Sequence, residues 1–260
     1  AGDGRARLNE MALSSSCLIH FTAEKDALKQ ILVENFRIKY CRERPRLESH
    51  SFDIRVPMVS FCHIPLSQIK NHLDSYGCYG IGLTKDWAKN NGLNPVMYLE
   101  QRCALSKSLL LGMRSLVQHG LSQGGDPDDT FMTGILALQD IFRHVKNYEG
   151  ALIRSNGSSQ QNYRFSDERE WRFVPEYDER FGILRPSAAP DLVSAANAWL
   201  EGMRLFFEPK DIKYIIVKDE SEIHEFIEHL RYAKGDKYTQ RDVERLTTRI
   251  VTAEQIRTDV

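Results

Sequence analysis

The chain lacks an excess of either charge, because 35 lysine and arginine residues are balanced by 36 aspartate and glutamate residues in a length of 260. Such a balance produces no global field that would draw the protein to nucleic acid or to a membrane surface. Any site for a polyanion must therefore be local. The most concentrated basic segment runs from Arg37 to Arg55 and contains Arg37, Lys39, Arg42, Arg44, Arg46 and Arg55.

Cysteine is sparse, and the cysteines are scattered along the chain. The chain has 5 cysteines, an odd number, and none of them forms a C-x-x-C pair. Neither a zinc site nor a disulfide framework is therefore predicted, and a reducing cytoplasm fits best. The histidines add no metal-like spacing, so we expect no metal. The cysteines are Cys17, Cys41, Cys62, Cys78 and Cys103, and the histidines considered as ligands are His20, His63 and His72.

Long apolar runs are also missing. No run approaches the roughly 18 residues that a membrane helix needs, and the polar start Ala1–Arg7 has no apolar signal core. We therefore expect a cytoplasmic protein without membrane contact, and we interpret residues 1–16 as an N-terminal extension or the remnant of a processed tag. Phosphate-loop, dinucleotide-binding and G-x-S-x-G patterns are absent as well.

The apolar pattern predicts an α+β fold. Short β-prone runs occur at 17–22, 56–62, 94–99 and 212–217, and segments with helical spacing lie between them. Thr22 is a predicted N-cap for the first helix. Grouped helices between strands favour mixed or antiparallel sheets over a βαβ winding. We predict a single domain at 17–260, with helical insertions near 104–145 and 186–205.

The segment Phe165–Phe173 is the most informative motif. Period-two alternation on a strand places Glu168, Glu170 and Arg172 on one face. Two carboxylates side by side repel each other, so a ligand opposite them is one interpretation. The other is a solvated face whose charges pair with neighbouring arginines.

A glycine-rich stretch, Tyr76-Gly-Cys-Tyr-Gly-Ile-Gly-Leu83, supplies a second candidate element. Glycine lets a backbone come close to another group, and aromatic residues flank these glycines. Such a stretch permits the backbone to approach a flat ligand closely.

Taken in order, these pieces resemble known families. Four elements resemble, in their order, those of an ADP-ribosyltransferase fold, closest to its DarT-like branch. They are Leu18-Ile-His-Phe-Thr22, Arg55-Val-Pro-Met-Val-Ser-Phe61, Tyr76–Trp87 and Glu168-Arg-Glu170. Three blocks are similar to the AbiGi family of abortive phage-infection proteins, over most of 17–256. They are Tyr76–Trp87, Asn147-Tyr-Glu-Gly150 and Asp167–Pro175.

The transferase resemblance implies an NAD site without a metal. A carboxylate would stabilise oxocarbenium character as nicotinamide leaves, and an arginine would bind the diphosphate. The basic segment would be a loop over this site, or else a solvated, partly disordered loop. The implied residues are Glu170 and Arg55 as catalytic residues, His20, Phe21, Thr22, Glu168 and Tyr79 as NAD-binding residues, and Tyr76 or Trp87 as substitutes for Tyr79.

The two resemblances together imply an NAD-dependent ADP-ribosyltransferase that acts as a toxin in an anti-phage system. Nucleic acid is the expected target, RNA ahead of DNA, and a cognate antitoxin and a chaperone are expected partners. One alternative is a non-catalytic antitoxin or binding component of a phage-defence pair. A further alternative is a protein-modifying transferase that uses the Glu168-x-Glu170 pair.

Overall fold

The computed structural model describes residues 15–122, 129–153, 159–176, 182–184 and 190–259, which form strands and helices in mixed order. The α+β class predicted from the sequence is confirmed. The strands are β1 Cys17–Thr22, β2 Phe36–Arg37, β3 Lys39–Glu43, β4 Arg46–Leu47, β5 His50–Ser51, β6 Ile54–Cys62, β7 Tyr79–Thr84, β8 Asn94–Pro95, β9 Met97–Leu99, β10 Val145–Asn147, β11 Gly150–Ile153, β12 Ser159–Tyr163, β13 Glu170–Phe173, β14 Arg204–Leu205, β15 Ile212–Val217 and β16 Ile250–Thr252.

Helices are interspersed with these strands along the chain, and the long helices have apolar stripes. The helices are α1 Lys25–Glu34, α2 Lys70–Tyr76, α3 Lys85–Asn90, α4 Ala104–Ser122, α5 Asp129–Arg143, α6 Pro190–Leu200, α7 Ile223–Lys234, α8 Gln240–Thr247 and α9 Ala253–Asp259. Within the described ranges, none of them is both long enough and apolar enough to cross a membrane.

The chain forms two compact units, and each is built from separate stretches of sequence. Unit 1 comprises Ala1–Arg37, Ser60–Leu93 and Arg204–Val260, and unit 2 comprises Ile38–Val59 and Asn94–Met203. The single domain at 17–260 stays a prediction. Most of the predicted N-terminal extension, residues 1–14, lies outside the described residues.

Unit 1 contains a mixed sheet. Strand β7 lies between β1 and β15 and is antiparallel to both, while β16 runs parallel to β15. The strands bury their Ile and Leu side chains against α2 and α9, in a cluster that includes Ile19, Ile69, Leu73, Ile216 and Ile256. Full burial of each such side chain contributes about 1.5–3 kcal/mol, so this cluster holds unit 1 together.

The glycines at 77, 80 and 82 allow other parts of the protein to approach the backbone closely. A Cβ atom on Gly82 would lie 3.2 Å from the ring of Tyr214 on β15. Gly77, just before the strand, has φ +114°, and a Cβ there would lie 2.3 Å from Cα of Ala23. This close self-packing is a structural reason for the glycines.

The sheet strands of unit 2 include β3, β8, β13 and most of β6. Strand β3 pairs antiparallel with β6, and β13 pairs antiparallel with β8. Strands β9 and β10 form a parallel pair, and β11 and β12 form an antiparallel hairpin. The predicted insertion near 104–145 contains α4 and α5, and the one near 186–205 contains α6.

The basic segment is not the loop that we expected. It contains β3, β4 and β5. Strand β3 pairs with β6 in a register that aligns Lys39 with Met58 and Glu43 with Ile54. Alternation along the segment buries Pro45 and Leu47 and leaves Arg42, Arg44 and Arg46 exposed.

Two local predictions need correction. Thr22 is the last residue of β1 and does not cap α1, whose N-cap is Glu24. The segment Phe165–Phe173 is not one strand: Phe165–Glu168 form a turn of 3-10 helix, and Arg169 adopts a left-handed conformation with φ 44°. Glu170 then begins β13. The chain turns here because Arg169 leaves extended geometry, so Glu168 and Glu170 come together from two different elements.

Candidate functional site

Lys146 joins the two carboxylates that the sequence singled out. It lies on β10, and its Nζ is 2.8 Å from Oε2 of Glu168 and 2.7 Å from Oε2 of Glu170. The side chains of Glu168 and Glu170 are 4% and 6% exposed, and that of Lys146 is 16% exposed. One ammonium group thus separates two buried carboxylates that would otherwise repel each other.

Arg172 completes the neutralisation of Glu170 from the other side. Its Nε donates to Oε1 of Glu170 at 2.7 Å, and its Nη2 lies 3.3 Å from Oε2. The same Nη2 is 3.0 Å from Oε1 of Glu43, and Nη1 donates to the carbonyl of Arg143 at 2.9 Å. Arg172 is fully buried, so every one of these bonds compensates the cost of removing its charge from water.

The electrostatics of this cluster favour the ionised forms. Burial opposes ionisation of Glu170, but Arg172 and Lys146 prevail and hold its pKa well below the usual range. Burial likewise opposes the charge of Lys146, yet Glu170 and Glu168 raise its pKa. Burial is the main cause that raises the pKa of Tyr98, whose hydroxyl oxygen accepts a 2.8 Å hydrogen bond from the Glu170 backbone N–H. Glu170 and Lys146 are therefore both charged at neutral pH.

A cavity of about 550 Å³ opens beside this cluster within unit 2. Its size lies within the range of small-molecule sites. Strand β11 forms part of its wall, together with the aromatic ring of Phe165. The charged residues that line it are Arg42, Glu43, Arg44, Arg46, Lys146 and Glu149.

Asn147 fixes one edge of the cavity. Its Oδ1 accepts from the backbone N–H of Arg46 at 2.7 Å, and its Nδ2 donates to the Arg46 carbonyl at 2.8 Å. Arg42 and Arg44 both lie near the carboxylate of Asp53. Among the described residues, no carboxylate pairs with the side chain of Arg46.

The predicted NAD-binding residues near the N-terminus lie in unit 1. Nδ1 of His20 donates to the carbonyl of Ser60 at 2.8 Å, and burial lowers the pKa of His20. Phe21 lies near the ring of His72, with 6.2 Å between centroids. Oγ1 of Thr22 accepts from the backbone N–H of Glu24 at 3.4 Å.

Tyr79 is also in unit 1, and 8% of its surface is exposed. Its hydroxyl donates to Oε1 of Glu222 at 2.9 Å. The substitutes proposed for it differ: Tyr76 ends α2, and Trp87 is buried with Nε1 bonded to the carbonyl of Phe206.

Arg55 lies on β6 in unit 2. Its backbone forms a two-way bridge with Leu184, at 2.8 and 3.0 Å. Its Nε is buried without a hydrogen-bond partner among the described residues. Glu168 and Glu170 are thus the two predicted site residues that the structure brings directly together, through Lys146. The roles assigned to all seven residues, and NAD binding itself, stay predictions.

Lys146 and Glu43 were not predicted as site residues, although Lys146 neutralises Glu168 and Glu170 and Glu43 neutralises Arg172. Lys146 stands between the buried residues Val145 and Asn147, directly before the Asn147–Gly150 block. Strand β10 has the sequence Val-Lys-Asn, which has no apolar pattern, so the sequence carried no signal for this lysine. Also within the described ranges, no group of three His, Cys, Asp or Glu side chains is arranged to hold a metal ion.

The fold and site define an α+β protein with a neutralised charge cluster beside an arginine-lined cavity. The model of a family described as "abortive phage resistance protein AbiGi, antitoxin" matches residues 34–218, which include all of unit 2. This chain belongs to the AbiGi family, as the sequence blocks indicated.

A relative supports this placement. The "Abortive phage resistance protein AbiGi" of Lactococcus lactis subsp. cremoris is 25% identical over 225 residues, covering 78% of this chain and 88% of that protein. No solved structure matches the chain.

These findings correct the predicted activity. The family description names an antitoxin, which points against an enzyme, so the prediction of an ADP-ribosyltransferase is wrong. The ADP-ribosyltransferase-like, DarT-like fold is not supported either, because no solved structure matches. The phage-defence context of the prediction is confirmed.

Proposed function

We propose that this chain is the antitoxin of a toxin–antitoxin pair in abortive phage infection, and that it neutralises a cognate toxin by binding it. The family description and the phage-resistance name of the lactococcal relative support this proposal. Under this proposal, the site in unit 2 binds a partner protein and does not catalyse a reaction.

The state of Glu170 is the structural observation behind the proposal. Oε1 accepts from Arg172, and Oε2 accepts from Lys146 and Arg172. A general base needs a pKa near the working pH and a free oxygen toward its substrate. Glu170 has neither, because both oxygens are paired and its pKa is depressed. Such a carboxylate is suited to hold a surface in shape.

The surface that it supports is the wall of the cavity. Lys146 contacts the cluster and also lines the cavity, and Asn147 next to it clamps Arg46. Arg46 and Glu149 are both exposed on this wall. Charges at the rim of an interface determine partner choice and association rate, so these two residues are the contacts we propose for the toxin.

The test is a growth assay with the full chain and the toxin of its own pair. Induction of the chain alone should leave growth unchanged, while its co-expression with the toxin should restore growth that the toxin alone arrests. The charge reversals Arg46→Glu and Glu149→Lys should each weaken neutralisation. Titration calorimetry of the purified pair should show affinity losses of about tenfold, the range for charged contacts at an interface.

Arg241→Glu is the matched control, because Arg241 is exposed on α8 in unit 1 and does not line the cavity. It should neutralise the toxin as the wild type does. Growth arrest by the chain alone would contradict the proposal, since it would make this chain the toxin. Unchanged affinity in both cavity variants would refute the assigned surface.

A further inference from the structure

A second concavity, of about 480 Å³, lies in unit 1 and is strongly basic. Its described lining has a single carboxylate, that of Asp86, and no aromatic side chain. This composition differs from that of the whole chain, whose formal charge is −1. The basic residues that line it are Lys85, Lys210, Lys213, Arg245 and Arg249.

The fold gathers these groups at one end of the unit 1 sheet. Ser16 precedes β1, Thr84 ends β7, and Lys213 lies near the start of β15. Nζ of Lys213 donates to Oγ of Ser16, and Nη1 of Arg249 donates to the carbonyls of Pro209 and Ile212. These bonds hold Lys213 and Arg249 in place without neutralising their charges.

Among the residues that the structure describes, the carboxylates near the concavity are fewer than its basic side chains. Glu208 pairs with Lys210 at 2.6 Å, and Asp211 accepts from the backbone of Glu208 at 2.8 Å. With Asp86, these are three carboxylates for five basic side chains. Burial lowers the pKa of Arg249, and the charge of Arg245 adds to this effect. Like charges held together in this way favour an anionic ligand.

We propose that this concavity binds a small molecule that carries several phosphate groups, such as a nucleoside triphosphate, and recognises it through the phosphates alone. The volume suits a small ligand, whereas a nucleic-acid site spreads its basic residues along a stripe. Arginine and lysine both bind phosphate oxygens strongly. Because no aromatic ring among the described lining residues can stack on a base, the number of phosphates determines affinity. The proposal is independent of the antitoxin function.

The experiment is calorimetric titration of the full chain with tripolyphosphate, ATP, GTP and AMP. Tripolyphosphate, ATP and GTP should bind with similar affinity, and AMP should bind at least about tenfold more weakly, because it offers one phosphate. Added salt should weaken the binding of all of them.

Two variants and a matched control locate the site. Arg245→Gln and Lys213→Gln should each weaken tripolyphosphate binding by about tenfold, the value of one charge-assisted hydrogen bond. Arg241→Gln removes the same charge from the same helix, α8, outside the concavity, and should bind as the wild type does. Thermal unfolding without ligand should show that all three variants are folded.

Three results would overturn the proposal. The first is no binding of tripolyphosphate or ATP by the wild type. The second is an equal loss of binding in the Arg241→Gln control. The third is binding of a short single-stranded RNA without binding of tripolyphosphate, which would make the concavity part of a nucleic-acid surface.

Discussion

Nζ of Lys146 lies 2.7 Å from Oε2 of Glu170 and 2.8 Å from Oε2 of Glu168, so one ammonium group bridges two buried carboxylates. The three groups come from β10, a 3-10 turn and β13. The bridge therefore joins elements that are separated by more than 20 residues along the chain, since Lys146 and Glu168 are 22 residues apart. Removal of the bridge should lower the stability of unit 2.

Lys146→Met tests this bridge. Methionine keeps a long apolar side chain but leaves Glu168 and Glu170 to repel each other in a buried site. We expect the free energy of unfolding to fall by about 3 kcal/mol, as when one partner of a buried ion pair is lost. Urea unfolding followed by circular dichroism measures the change.

Lys107→Met is the control, because Lys107 is exposed on α4 in the same unit. It should alter the free energy of unfolding by less than about 0.5 kcal/mol. Equal effects of the two substitutions would show that the bridge contributes nothing.

Acid should destabilise the wild type through Glu170. Its pKa is lowered in the folded protein from an ordinary value of 4.5, so the unfolded chain binds more protons near that pH. The stabilising contribution is complete above about pH 5 and decreases as pH falls through the depressed folded pKa. Glu170→Gln cannot titrate, so its free energy of unfolding should decline less steeply between about pH 5 and about pH 3.

Urea unfolding at several pH values provides this comparison. The comparison concerns the slope of the free energy of unfolding against pH. The absolute stability is not compared, because the variant leaves Lys146 and Arg172 with one carboxylate fewer. Identical slopes in the two proteins would be incompatible with a depressed pKa at Glu170.

Lys234 should affect stability in the opposite sense to Glu170, because burial of its charge destabilises the folded protein at neutral pH. It is 3% exposed at the end of α7, with Nζ 5.0 Å from the ring centroid of Phe207. Burial, with a smaller effect of Lys237, lowers its pKa from 10.5 to about 8. Between these values the unfolded chain binds more protons, so stability should rise with pH.

Lys234→Met should remove this rise and stabilise the protein at pH 7 by about 1–2 kcal/mol, after allowance for solvent screening and the lost cation–π contact. Differential scanning calorimetry at about pH 7 and about pH 10 measures both effects. A variant less stable than the wild type at both pH values would contradict this account of Lys234.

Apolar periodicity predicted much of the fold. The expected strand at 17–22 is β1, the run at 212–217 is β15, and the insertion near 104–145 contains α4 and α5. These elements follow from local sequence, because their apolar faces repeat with the period of a strand or a helix. Strand β3 was missed because its residues are mostly polar and it exists through pairing with β6.

The candidate site was predicted only in part. Alternation in Glu170-Trp-Arg172 indicated that Glu170 and Arg172 share a face, and both are buried on β13. Lys146 reaches them from β10, and no local pattern announces a contact between residues so far apart in sequence. The left-handed backbone at Arg169 was equally invisible, since arginine has no preference for that conformation.

The division of the sequence between the two units determines the order in which a ribosome can complete them. All of unit 2 has been translated by Met203, whereas the unit 1 sheet lacks β15 and β16 until residues 212–252 have emerged. During synthesis, the edge of β7 that pairs with β15 therefore stays unpaired until β15 has been made. Unpaired strand edges promote aggregation. A chain truncated after Met203 would contain all of unit 2 but a unit 1 sheet without β15 and β16.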